Sequence, residues 1–139
     1  MIFSAFRKKL QMSVLLSVLI FATNGCIYVV VGGLGALGGY VASPDTVEGL
    51  VSSTSFDTVW DAAIEIVSIM GIIEEQNESG GVILAKIQGA KVTLMVYNLS
   101  ASTIKLSVKA RKALLPKIKL AQDIYVKVVS FVEEHDPNL

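Results

Sequence analysis

The stretch VILAKIQGAKVTLMVYNLSASTIKLSVKA, residues 82–110, decides the fold class. Within residues 91–98, Val92, Leu94 and Val96 alternate with Thr93, Met95 and Tyr97; within 103–110, Ile104, Leu106 and Val108 alternate with Lys105, Ser107 and Lys109. A period of two sends successive side chains to opposite faces, so both runs predict strands with one apolar and one mixed face. Residues 82–88 and 72–76 extend the series, separated by the turn-forming Asn77-Glu78-Ser79-Gly80-Gly81 and Gly89-Ala90. Links this short predict an antiparallel meander, and one-sided apolarity predicts helices over one face only.

Working outward, the period changes. Phe56, Val59, Trp60, Ala63, Val67 and Met70 recur at helical spacing, with Asp57, Asp61, Glu65 and Ser68 mostly opposite. Ser55 suits the N-cap, Asp57 favours the positive helix start, and Gly71 is placed to end the helix. Residues 46–53 read as a short strand before it. Residues 116–134 read as a second amphipathic helix, with Ile118, Ala121, Tyr125, Val128 and Val132 on one stripe and Pro116 in its first turn. The expected domain, residues 45–139, is α+β. It has the order β-α-β-β-β-β-α, an antiparallel sheet of four to five strands packed against two helices.

The N-terminal third differs in kind. The chain has 139 residues, 12 Lys+Arg against 12 Asp+Glu, and 53% hydrophobic residues, slightly more than usual for a soluble domain. The excess sits before residue 45, where the only charges are Arg7, Lys8 and Lys9 and the run from Leu10 to Pro44 has none. A basic cluster followed by the apolar LQMSVLLSVLIFA of residues 10–22 has the layout of a secretory signal. It ends at Gly25-Cys26, which resembles the lipobox of bacterial lipoproteins. That resemblance implies cleavage between Gly25 and Cys26 and acylation of Cys26, with palmitate among the chains. Residues 1–25 are then a lipoprotein-type signal peptide, and residues 26–44 a lipidated Cys with a glycine-rich apolar tether. The competing reading is an uncleaved transmembrane anchor, since the uncharged run exceeds the roughly 20 residues of a span. Five glycines in residues 32–39 weaken helix propensity there.

A single Cys excludes a disulfide-stapled fold and a Cys-rich zinc site. Gly33-Leu34-Gly35-Ala36-Leu37-Gly38 matches G-x-G-x-x-G, but Pro44 interrupts any helix begun there and no carboxylate stands about 20 residues on, so no dinucleotide cofactor is expected. No cofactor of another kind is indicated either. Trp60 lies on the apolar stripe and reads as a core anchor; Tyr97 and Tyr125 read as packed rings with their hydroxyls at the rim. His135 stands in the polar tail EEHDPNL without a Cys partner, Asp57, Asp61 and Glu65 fall on a solvated helix face, and no metal site is expected. No Ser is visibly paired with a general base, so no catalytic residue is assigned and the chain is not expected to be an enzyme.

Charge is also segregated. Residues 45–78 carry eight acids and no base, while residues 86–127 carry nine bases and only Asp123 as an acid. Lys109, Arg111, Lys112, Lys117 and Lys119 make the densest group, suited to an anionic surface. The alternative is that the acidic first helix and the basic second half neutralise each other. Removing residues 1–25 leaves nine bases against 12 acids, a net charge of −3, so nucleic acid is not expected as a partner.

The combination of signal, Gly25-Cys26, a glycine-rich stretch ending in Gly38-Gly39-Tyr40, a short strand and Ser55-Phe56-Asp57-Thr58-Val59-Trp60-Asp61-Ala62 opening a helix resembles a family of small bacterial lipoproteins classed as a domain of unknown function. The likeness runs from Gly25 to about Val132, with Val59-Trp60-Asp61-Ala62 as its most specific piece; Lys112-Ala113-Leu114-Leu115-Pro116 departs from the Gly-Asp usual before the last helix. The resemblance implies an exported cell-envelope protein, anchored by lipid to a bacterial membrane, with the outer membrane facing the periplasm favoured. It implies no reaction. The expected partners are membrane lipid through the acyl anchor and an envelope protein. The expected role is structural or interactive, with a carrier of a small apolar ligand, lined by Leu94, Val96, Leu106 and Val128, as the alternative.

Overall fold

The computed structural model describes residues 29–31 and 40–136. Arg7 to Lys9, Gly25, Cys26 and the Gly33-to-Gly38 motif lie outside the described residues.

The elements are β1 (Val29–Val31), β2 (Tyr40–Ala42), β3 (Thr46–Ser52), α1 (Phe56–Met70), β4 (Ile72–Asn77), β5 (Val82–Ile87), β6 (Ala90–Ser100), β7 (Thr103–Lys112), β8 (Leu115–Pro116) and α2 (Ile118–His135). They form an α+β fold: one antiparallel sheet in the order β1-β2-β3-β7-β6-β5-β4, with β8 also paired to β7, and two helices on one face. The meander β4-β5-β6-β7 is the expected one. At Gln88-Gly89 both residues have positive φ, 52° and 74°, between the paired Ile87 and Ala90. That is the two-residue hairpin turn whose twist matches the flanking strands.

The helix-covered face is the apolar one. Val47, Val51, Ile83, Ile87, Val92, Leu94, Ile104, Leu106 and Val108 are fully buried beneath Val59, Val67, Ile124 and Val128 of the helices. Ser55 caps α1, accepting a hydrogen bond from the Thr58 amide at 3.3 Å, and the Gly71 amide closes the helix by donating to the Val67 carbonyl at 2.9 Å. Gly71 packs so tightly that a Cβ there would run into the Lys86 carbonyl. Trp60 is 6% exposed, its ring stacked on Phe56 with centroids 5.8 Å apart, in the expected core position.

The sheet is larger than the four to five strands expected, for two reasons. The segment read as a tether contributes β1 and β2, which extend the sheet beyond β3 through Val29–Ala42, Val30–Val41 and Ala42–Val47 pairs. Pro116 does not open the second helix. It pairs with Arg111 in β8, at a sheet margin where a residue lacking an N–H is tolerated. Helix α2 starts only after Lys117, whose amide donates to the Ala110 carbonyl at 2.9 Å, and it has no side-chain N-cap.

Candidate functional site

Strand register sorts the polar residues by end. Val29 of β1, Ala42 of β2, Val47 of β3 and Val108 of β7 form one row across the sheet. Beyond that row, toward one end, lie the start of β3, the end of β7, β8 and the β5–β6 turn; α1 finishes there at Gly71 against Lys86 and Ile87. This end holds all five predicted bases. Lys109 and Arg111 project from the uncovered face of β7, Lys112 ends that strand, Lys117 precedes α2, and Lys119 lies in the first turn of α2.

Two further bases belong to the same group and were missed in the sequence, since they are distant in the chain. Lys91 is directly opposite Arg111, and Lys86 directly opposite Lys91, so Arg111, Lys91 and Lys86 form one cross-strand row of like charge. Like charges facing each other across a sheet destabilise it. Such a row persists at less cost where anions are at hand.

The acidic counterparts are not those expected. Among the described residues, no ion pair joins the acids of α1 to the basic second half; Asp57, Asp61 and Glu65 stay exposed on their helix face. The partners come from β3, because β3 lies beside β7. Asp45 Oδ2 is 3.4 Å from Lys109 Nζ and 3.2 Å from Arg111 Nε, and Lys105 Nζ is 3.0 Å from Glu48 Oε2. Desolvation acts to raise the Asp45 pKa, but the Thr46 hydroxyl, donating at 2.9 Å, together with Lys109 and Arg111 outweighs it and holds the carboxyl below its ordinary value. Lys86, Lys91, Lys112, Lys117 and Lys119 make no ion pair among the described residues.

The same end carries the most exposed large apolar side chains of the described residues: Leu114 (86%), Leu115 (68%), and Ile69 and Ile72 (72% each). Leu114 and Leu115 follow Ala113, whose φ of 53° turns the chain from β7 into β8 and pushes the two leucines outward.

The opposite end is more polar, with Leu99, 57% exposed beside the β6–β7 turn, as its protruding apolar side chain. An open depression of about 510 Å³ is lined by Ser53, Thr54, Ser55, Thr58, Ala101, Ser102, His135 and Asp136. Thr54 Oγ1 is buried there without a hydrogen-bond partner. His135 is exposed and ends α2, its ring stacked on Phe131 and its Nδ1 2.9 Å from the Phe131 carbonyl oxygen. The imidazole is thus turned back onto its own helix. Among the described residues no three His, Cys, Asp or Glu side chains are grouped to hold a metal. Tyr125 is buried, whereas Tyr97 is 41% exposed on the uncovered face. Leu94, Val96, Leu106 and Val128 all belong to the packed core, and Val96 borders an open depression of about 310 Å³.

No family model and no curated protein matches the chain. Among the described residues, no helix is long and apolar enough to cross a membrane.

Proposed function

We propose that this chain is a membrane-anchored cell-envelope lipoprotein, held by acylated Cys26, whose small α+β domain serves as a structural or interaction module at the membrane surface. The observation that carries this reading is the N-terminal layout: Arg7, Lys8 and Lys9, then a 13-residue apolar run over residues 10–22, then Gly25-Cys26. The position of β1 supports it. Cys26 precedes Val29, where the edge strand β1 begins, by three positions in the chain. A second hydrophobic or basic contact suits such an anchor, since one acyl chain holds a protein only marginally.

Mass spectrometry of the mature N-terminal peptide tests the proposal. The expected result is an acylated Cys26 as the first residue, with accumulation of the unprocessed chain for Cys26→Ser. An intact Met1 with unmodified Cys26 would overturn it and leave residues 10–28, ahead of β1, as an uncleaved anchor.

A further inference from the structure

The end of the sheet that carries the bases and the exposed leucines is also the end from which the N-terminal segment leaves. We propose that this end is a second membrane contact, in which Leu114 and Leu115 enter the interface of an anionic phospholipid leaflet while Lys112, Lys117, Lys119 and the Arg111–Lys91–Lys86 row meet its headgroups. The proposal rests on the anchored reading above and adds an orientation to it.

Three independent observations converge. The first is where the chain enters the domain. Strand β1 starts at Val29 in the row of Val108, and β7 continues from there to Arg111 and Lys112. Three residues of extended chain reach about 10 Å, so a lipid on Cys26 confines this end to the bilayer surface. The glycine-rich residues 32–39 lie between β1 and β2, not between anchor and domain, and so add no length to that leash.

The second is charge. Seven of the nine bases of residues 86–127 lie at or beyond the level of Lys109, against Asp45, Glu74 and Glu75 as acids at that level. The opposite end carries the acids Asp57, Glu133 and Glu134, with no Lys or Arg within two positions of any of them and His135 as the one basic side chain beside the last two. The domain is therefore electrically polar along its strands, and its positive end is the one nearest the anchor.

The third is apolar exposure. Bases alone would equally suit an acidic protein. Leu114, the most exposed of these side chains, and Leu115 lie between Lys112 and Lys117, and Ile69 and Ile72 stand further along the same end. Apolar tips ringed by lysines match the layered chemistry of a bilayer surface, where acyl chains lie beneath anionic headgroups.

The test uses the full chain, with Trp60 as its own control, since that ring is buried in the core. Leu114→Trp and Ser102→Trp place a reporter at either end, and vesicles of phosphatidylglycerol carrying brominated acyl chains quench indole emission within the bilayer. The expected result is quenching of the Leu114→Trp reporter, relieved by salt, weakened on phosphatidylcholine and absent for Ser102→Trp and the wild type. Each base near an anionic surface is worth roughly fivefold in partitioning, so adding Lys112→Ser, Lys117→Ser and Lys119→Ser should abolish the quenching. If the chain floats with vesicles while Leu114→Trp stays bright, the contact is refuted, as it would be if this end served an acidic protein, and the anchored reading survives. If the chain does not float with anionic vesicles at all, both fail.

Discussion

At one end of the sheet, β3 begins and β7 finishes among seven bases and four protruding apolar side chains; at the other, the same two strands meet a serine- and threonine-lined depression beside the N-cap of α1 and the acidic end of α2. The core between them is continuous, so the two ends share one folding unit and differ only in what they present to their surroundings. Stability therefore resides in the middle, and partner chemistry at the ends. Variants should separate cleanly along that line.

The largest effect should come from the shared middle. Leu106→Ala removes a fully buried side chain from the strand that joins both ends and should cost about 2–5 kcal/mol in denaturant unfolding. A loss below about 1 kcal/mol would mean the core is not continuous there.

Next come two variants that act on one end each. Asp45→Asn leaves Lys109 and Arg111 without their carboxylate and should cost about 1 kcal/mol while strengthening association with anionic vesicles, two effects of opposite sign. The pH dependence follows from the lowered Asp45 pKa. In the wild type, its stabilising contribution is complete above the unfolded carboxyl value near 3.9 and is lost as pH falls through the lower folded value; in Asp45→Asn this acid-side loss is absent. Ser55→Ala, at the opposite end, should also cost about 1 kcal/mol by removing the α1 cap, with vesicle association unchanged.

The smallest stability effect should be that of Leu114→Ser, within about 0.5 kcal/mol in thermal unfolding, because the side chain packs on little. Its expected cost is confined to lipid contact. A marked fall in Tm would show that Leu114 serves folding instead.

How much of this was legible in the sequence depended on whether a residue's role was local. Alternation at 91–98 and 103–110 and the helical stripe from Phe56 to Met70 repeat a period within one element, and those elements appear within a residue or two of the expected bounds. Strands β1 and β2 lie in a uniformly apolar run where a three-residue strand leaves no visible period, and they are defined only by pairing, β1 with β2 and β2 with β3. Pro116 fits a first helical turn and an edge strand equally well; the backbone bond from Lys117 to Ala110 decides, and that bond spans the β7–β8 turn. The basic group was half visible. Lys109 to Lys119 are neighbours in the chain, but Lys86 and Lys91 join them only across the sheet, and Asp45 becomes their counterion only because β3 lies against β7.

Hydrogen exchange of the full chain with and without phosphatidylglycerol vesicles compares the two ends in one experiment. The account predicts slowed exchange in the peptide spanning residues 111–117 and no change in residues 100–103. Equal protection at both ends, or protection confined to residues 100–103, would contradict it.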